Sequence, residues 1–189
     1  MVKTVAILQG WAGGPWHTKM FVTGLKEAGF KHTKDAKNAD IIVAHSTGCY
    51  GVPKNAKANL ILLMGPPYWP DKSLLRRVIR KKRNDTKHVT KHHGISYTLK
   101  KSFWELAYIF LKPSYTLLAL LNHRHSKFLE HLKDKKLIMV RNREDNTSSP
   151  DLEAATLGYS NIKYLEMPGH HDDYYTNPKP YIDLLLKEL

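Results

Sequence analysis

Cysteine is nearly missing from this chain: Cys49 stands alone, so no intramolecular disulfide can staple the fold and cohesion must come from a packed core. At 189 residues the chain is long enough to bury such a core, and a single domain over residues 1–189 is expected. Long apolar runs are also missing. The most apolar stretch, residues 102–121, is interrupted by Glu105, Lys112 and Pro113, which argues against a membrane-spanning helix. The opening residues form a short apolar run ending in a glycine loop, without the longer core and cleavage site of a signal peptide, so a cytoplasmic, reduced setting is expected. No repeat or low-complexity linker divides the chain.

Acidic residues are scarce, 17 Asp and Glu against 30 Lys and Arg, for a formal net charge of +13. A field of that sign favours anionic partners such as nucleic acid, acidic lipid or a phosphorylated substrate. The excess is concentrated in residues 76–83, where Arg76, Arg77, Arg80, Lys81, Lys82 and Arg83 make up six of eight positions. A solvated helix face explains such a run more simply than a binding site does. Base-stacking aromatics are not interleaved with these cations, which ranks nucleic acid below a small-molecule partner; an acidic membrane surface stays open as a peripheral contact.

The apolar residues that are present fall into short blocks separated by glycine, proline and polar punctuation. Residues 5–8 read as a first strand, followed by the glycine-rich loop Gln9-Gly10-Trp11-Ala12-Gly13-Gly14-Pro15 and a helix over about 16–28, whose Met20, Phe21, Leu25 and Ala28 recur at helical spacing. A polar, lysine-rich stretch covers 31–38. Buried strands are expected at 41–44 and 60–64, the latter with an unbroken apolar character that suits the middle of a parallel sheet, and further strands at 136–140 and 162–167. Between the third strand and the strand at 136–140 no strand is evident. Residues 73–83 predict a basic amphipathic helix, 84–96 a polar loop, and 102–121 two helical pieces meeting near Pro113. The expected architecture is a three-layer α/β/α sandwich with a mainly parallel central sheet and a basic, aromatic helical insertion at about 71–133.

Chemistry converges on three loops. The second buried strand runs into Ala44-His45-Ser46-Thr47-Gly48, and a serine two positions from small residues on either side suits a tight strand-to-helix turn. Such a turn lifts the hydroxyl clear of the sheet and aims the Thr47 backbone N–H at a developing oxyanion. The strand at 136–140 leads to a loop with Asp145, and the last strand to Pro168-Gly169-His170-His171. Serine is a weak nucleophile at neutral pH: it needs an imidazole to take its proton, and the imidazole needs a carboxylate to fix its tautomer. All three parts lie at the carboxyl ends of different strands, where open α/β sheets bind ligands.

With its glycine loop at 9–14, its elbow at 44–48, its acid loop at Asp145 with Pro150 downstream, and Gly169-His170, the chain resembles the α/β-hydrolase superfamily, and within it the small cap-poor serine hydrolases of the retinoblastoma-binding-protein type. The likeness covers nearly the whole length. It implies Ser46 as nucleophile, His170 as general base and later acid, Asp145 as orienting carboxylate, and the backbone N–H groups of Trp11 and Thr47 as oxyanion hole. The chain departs from the family's frequent pattern at Gln9 and Ala44, and Gly51 and Pro53 interrupt the helix expected behind the serine. By this reading the protein cleaves an ester, thioester or amide through an acyl-enzyme, without a cofactor. Its substrate is a small acyl compound, anionic or lipid-like, received in a pocket lined by Trp16, Phe103, Trp104 and Tyr108.

Several residues have competing readings. His171 adjoins His170 and is the alternative base. Glu144 is expected to face solvent, and Cys49 to be a packing residue rather than a reactive thiol. His170, His171, Asp172 and Asp173, and separately His88, His92 and His93, have metal-ligand chemistry but no coherent set of partners, so no metal is expected. Two other function classes stand beside the enzyme: a silent binding protein on a hydrolase fold, and a nucleic-acid or acidic-membrane binder using the basic helix.

Overall fold

A computed structural model describes residues 2–10, 15–68, 74–111, 113–114, 117 and 126–189, with the side chains of 15, 16, 74–86, 88, 92, 93, 126 and 127 left aside. Its centre is one six-stranded sheet in the order β2-β1-β3-β4-β5-β6, built from β1 (Thr4–Leu8), β2 (Lys31–Thr33), β3 (Ile41–His45), β4 (Leu60–Met64), β5 (Lys136–Asn142) and β6 (Ile162–Met167). Every pairing is parallel. The expected parallel sheet is therefore present, with one strand more than the sequence suggested. Lys31-His32-Thr33, within the stretch expected to be a polar connection, pairs with Thr4-Val5-Ala6 at the sheet's edge. An edge strand needs no apolar run, because one flank faces solvent.

Side chains alternate across the strands, as a pleat requires. Ile41, Val43, Leu60, Leu62, Ile138 and Val140 enter one core with Phe21 and Leu25 of α1 (Pro15–Glu27) and Tyr181, Ile182 and Leu185 of the terminal helix (Lys179–Glu188). Ile42, Ala44, Ile61, Leu63, Leu137 and Met139 enter the other, with Cys49 and Val52 behind β3, Phe128, Leu129 and Leu132 of a 3₁₀ segment (Ser126–Leu132), and Leu152 of α3 (Leu152–Thr156). The result is three layers around a sheet covered on both faces.

Between β4 and β5 lies α2 (Leu74–Leu111), the helical insertion. It corrects one expectation: residues 84–96 are helical rather than a loop, apart from a break at Gly94, where φ is 80° and ψ 170°. Polarity alone misled there. A largely polar sequence is compatible with a helix that buries one side, and Val89 within it is buried. Position 112 and the stretches 115–116 and 118–121 lie outside the described residues, so the expected junction near Pro113 is not traced. Among the described residues no helix is long and apolar enough to cross a membrane.

Candidate active site

Strand order reverses at β1, which has β2 on one side and β3 on the other. The crevice at the carboxyl end of such a switch point is the natural ligand position of a parallel sheet. The loop after β1 and the turn after β3 meet there.

Ser46 follows directly on β3 and has φ of +54°, the one positive φ at a non-glycine position among the described residues. A left-handed backbone at a residue bearing a Cβ is held only where the surroundings enforce it. Here they do: a Cβ on Gly48 would stand 2.3 Å from the Leu8 carbonyl oxygen and 2.7 Å from that of Gln9, and a Cβ on Gly10 would stand 2.6 Å from Ser46 Cβ. Gly48, two positions after Ser46, thus has no room for a larger side chain. Gly48→Ala should lower stability by about 2 kcal/mol or more, because backbone rather than a flexible tip must give way. Gly158→Ala, with nothing within 4 Å, should be nearly neutral; urea titration of the two variants measures the difference.

Behind the serine the chain forms a 3₁₀ helix, Ser46–Gly51, ending at an extended Val52 (φ −64°, ψ 123°). No α-helix develops, as Gly51 and Pro53 foretold; the residue before proline is driven to extended backbone. Cys49 is fully buried, its thiol directed at the Ala44 carbonyl oxygen at 3.4 Å. Burial pushes the thiol pKa far upward, so it is a packing group rather than a nucleophile.

Asp145 sits three residues past β5 and is buried. Its Oδ1 accepts the Thr147 backbone N–H at 2.7 Å, and its Oδ2 lies 2.8 Å from Nδ1 of His171. Gly65, at φ +53°, allows that carboxylate to approach: a Cβ there would be 2.7 Å from Asp145 Oδ2. The carboxylate's histidine is thus His171, which corrects the pairing expected with His170. The physical reason lies in the turn after β6. Gly169 adopts φ +122°, its N–H donates to Glu144 Oε2 at 2.6 Å, and the His170 N–H donates to Asp173 Oδ2 at 2.7 Å. The His170 carbonyl meanwhile accepts Asn142 Nδ2 at 2.8 Å. With the backbone of His170 fixed in this way, the next residue is the one carried onto Asp145. Glu144 is exposed, as expected, yet it holds the Gly169 amide.

The following residue, Asp172, is buried and forms an ion pair with Lys101 of α2. Burial would raise its pKa, but Lys101 outweighs it, aided by His171 and His17, and the carboxyl is held well below the usual range. Because this pKa is depressed on folding, the pair stabilises the protein above the unfolded value of about 4 and loses that contribution as pH falls through the folded value. Asp172→Asn should therefore cost about 3 kcal/mol at pH 7, leaving Lys101 without its counter-charge. The deficit should shrink toward pH 3; urea melts at the two pH values would read it.

Aromatic rings pack around the pair. His45, the residue before Ser46, lies with its ring centroid 4.5 Å from that of His171, 4.9 Å from that of Tyr174 and 4.5 Å from that of Tyr175. Its Nε2 is 3.3 Å from the His171 carbonyl oxygen. His17 of α1 sits 5.6 Å from Tyr175 and 6.1 Å, edge-on, from Tyr97 of α2. Sequence reasoning passed over His17, His45, Tyr97, Tyr174 and Tyr175. The adjacent Tyr174-Tyr175 beside the histidine loop was the available signal.

Of the four expected pocket residues, Phe103 is 69% exposed and so does not line the site, a correction dictated by helical phase. Trp104 and Tyr108 are partly buried and share a helix side with Tyr97 and Lys101, given 3.6 residues per turn. The Trp16 side chain and all of Trp11 lie outside the described residues, as do the side chains of His88, His92 and His93. Thr47 is buried directly after Ser46.

No protein-family model matches the sequence, and no curated protein matches it. Solved structures do. A bromoperoxidase from Bacillus anthracis superposes with a TM-score of 0.68 at 15% identity, over 98% of this chain and 91% of that one. A carboxylesterase from the thaumarchaeon Nitrososphaera gargenis gives 0.65 at 12%, over 98% and 89%. The thioesterase domain from the curacin biosynthetic pathway gives 0.64 at 13%, over 98% and 91%. These likenesses extend over almost all of both chains, and together with the parallel sheet and its flanking helices they show that this chain has the α/β-hydrolase fold.

Proposed function

We propose that the protein is a serine hydrolase that cleaves an ester, thioester or amide of a small acyl compound through an acyl-enzyme on Ser46. The observation that carries this reading is the left-handed backbone of Ser46 at the carboxyl end of β3, a conformation expected of a nucleophile raised on a strained turn. The buried Asp145–His171 pair, also at the carboxyl edge, supplies the matching base and its orienting acid.

In this reading Asp145 holds Nδ1 of His171 as the N–H tautomer, so Nε2 carries the lone pair that removes the Ser46 proton as Oγ attacks the substrate carbonyl. The resulting oxyanion is received by the Thr47 backbone N–H, with Trp11 as second donor. Collapse of the tetrahedral intermediate expels the alcohol, thiol or amine, which takes the proton from His171. Water, deprotonated by the same nitrogen, then releases the acid and regenerates Ser46. No cofactor enters. The aromatic residues His17 of α1 and Tyr97, Trp104 and Tyr108 of α2 suit an apolar acyl group, and Trp16 is a further candidate to hold it. The motif residues favour the retinoblastoma-binding-protein type of small hydrolase, to which α2 adds a helical cover.

Turnover of p-nitrophenyl esters from acetate to laurate, with acyl-thioesters alongside, tests the proposal. Saturable hydrolysis with a preferred chain length is expected. A folded protein that hydrolyses none of them would favour the rival reading of a silent binding protein, for which the short 3₁₀ turn behind Ser46 is the supporting feature.

A further inference from the structure

Asp145 and His171 lie on two loops, and one buried side chain bridges them. Past the last paired residues of β5 and β6, Asn142 and Met167, the two chains stay joined through the backbone. The Arg143 N–H donates to the Met167 carbonyl at 2.9 Å, and the Glu144 N–H to that of Gly169 at 3.0 Å. At His170 the contact passes to a side chain: Asn142 Nδ2 donates to the His170 carbonyl at 2.8 Å. The Asn142 carbonyl accepts the Asp145 N–H at 3.0 Å. A fully buried residue is thus bonded both to the backbone of Asp145 and to the residue before His171.

The amide of Asn142 has a single workable orientation. A carbonyl only accepts, so Nδ2 faces His170 and Oδ1 faces Tyr181 of the terminal helix, whose hydroxyl donates to it at 2.8 Å. The Asn142 N–H donates to the Tyr174 hydroxyl at 3.0 Å, and that hydroxyl donates to the Val140 carbonyl at 3.3 Å. Both side-chain atoms and both backbone groups are therefore engaged. Packing alone does not call for an amide here, since an apolar residue of similar volume would fill the space. A fully satisfied buried network supplies what an apolar residue does not, a fixed direction for the His170 carbonyl.

We propose that Asn142 is a positioning residue: braced by Tyr181, its amide sets the turn that carries His171 onto Asp145. The catalytic consequence rests on the serine hydrolase reading above, whereas the positioning itself does not. Fully buried, Asn142 offers no atom to a substrate, so its loss costs rate rather than affinity.

Two variants and a control test the role. Asn142→Asp keeps the size of the side chain and the acceptor for Tyr181 but sets an oxygen against the His170 carbonyl; kcat for the best ester is expected to fall roughly hundredfold, with KM within about twofold of wild type. Tyr181→Phe keeps the ring in the core and removes only the brace; it should lower kcat roughly threefold to tenfold, and it carries the test where Asn142→Asp does not fold. Asn161 donates its amide to the Leu132 and Lys135 carbonyls at the opposite end of β6, and Asn161→Asp should lower urea stability with kcat unchanged.

Proton NMR reads the positioning without turnover. The His171 Nδ1 proton, identified by its absence from His171→Ala, is shielded between imidazole and carboxylate. It should exchange with water roughly tenfold faster or more in Asn142→Asp and Tyr181→Phe, and at the wild-type rate in Asn161→Asp. A wild type that hydrolyses no ester but shows this exchange pattern would overturn the hydrolase reading and uphold the positioning role. Exchange at the wild-type rate in both Asn142→Asp and Tyr181→Phe would overturn the proposal whatever their kcat. So would equally fast exchange in Asn161→Asp, or the absence of such a proton from wild type.

Discussion

Ser46→Ala is expected to lower kcat/KM for the best ester substrate by roughly a millionfold, while urea stability stays near the wild-type value. The magnitude follows from removing the atom that forms the covalent bond: without it neither base nor acid has a proton to move, and only binding and oxyanion stabilisation remain. Stability should hold because alanine keeps the Cβ for which Gly10 already leaves room. A variant at Ser46 that kept substantial turnover would mean that catalysis runs through another group. Cys49 is not that group, being buried with its thiol pKa raised.

The second large effect separates two neighbours. His171→Ala should cost roughly four to six orders of magnitude in turnover, and Asp145→Asn roughly four, since the carboxylate fixes the tautomer of the base. His170→Ala should stay within about tenfold of wild type, because what this residue contributes to the loop is backbone: its N–H to Asp173 and its carbonyl to Asn142. Parallel kinetics on the three variants is the measurement. Collapse of activity in His170→Ala with His171→Ala active would reverse the assignment and leave the 2.8 Å contact between His171 and Asp145 without a catalytic part.

That pair of histidines shows what a linear sequence cannot resolve. The apolar blocks of β1, β3, β4 and β5 were readable because a strand covered on both faces must be apolar at consecutive positions; β6, at the sheet's edge, keeps Lys163 and Glu166 exposed among its apolar residues. Ser46 was readable because small residues around it have a steric cause that survives in one dimension. Choosing between His170 and His171 required knowing how the chain turns after Gly169. That turn is set by contacts with Glu144, Asn142 and Asp173, none of which the residue order of the histidine loop announces. The edge strand β2 escaped for the opposite reason: three polar residues carry no periodic signal, and only pairing with β1 defines them.

The two faces of α2 were a different case, legible and overlooked. Phe103 and Trp104 are neighbours in sequence, and adjacency grouped them as one pocket wall. Helical phase places them about 100° apart, with Phe103 exposed and Trp104 on the partly buried side with Lys101 and Tyr108. The polar run at 84–96 carries no apolar periodicity, and its helix buries Val89 all the same.

The central claim is that Ser46 is a nucleophile activated where it stands, and labelling with a fluorophosphonate followed by peptide mass spectrometry tests it most directly. One covalent adduct is expected, mapped to Ser46, formed rapidly in wild type, greatly slowed in His171→Ala and lost in Ser46→Ala. An adduct on any other residue, or labelling undiminished in Ser46→Ala, would contradict it.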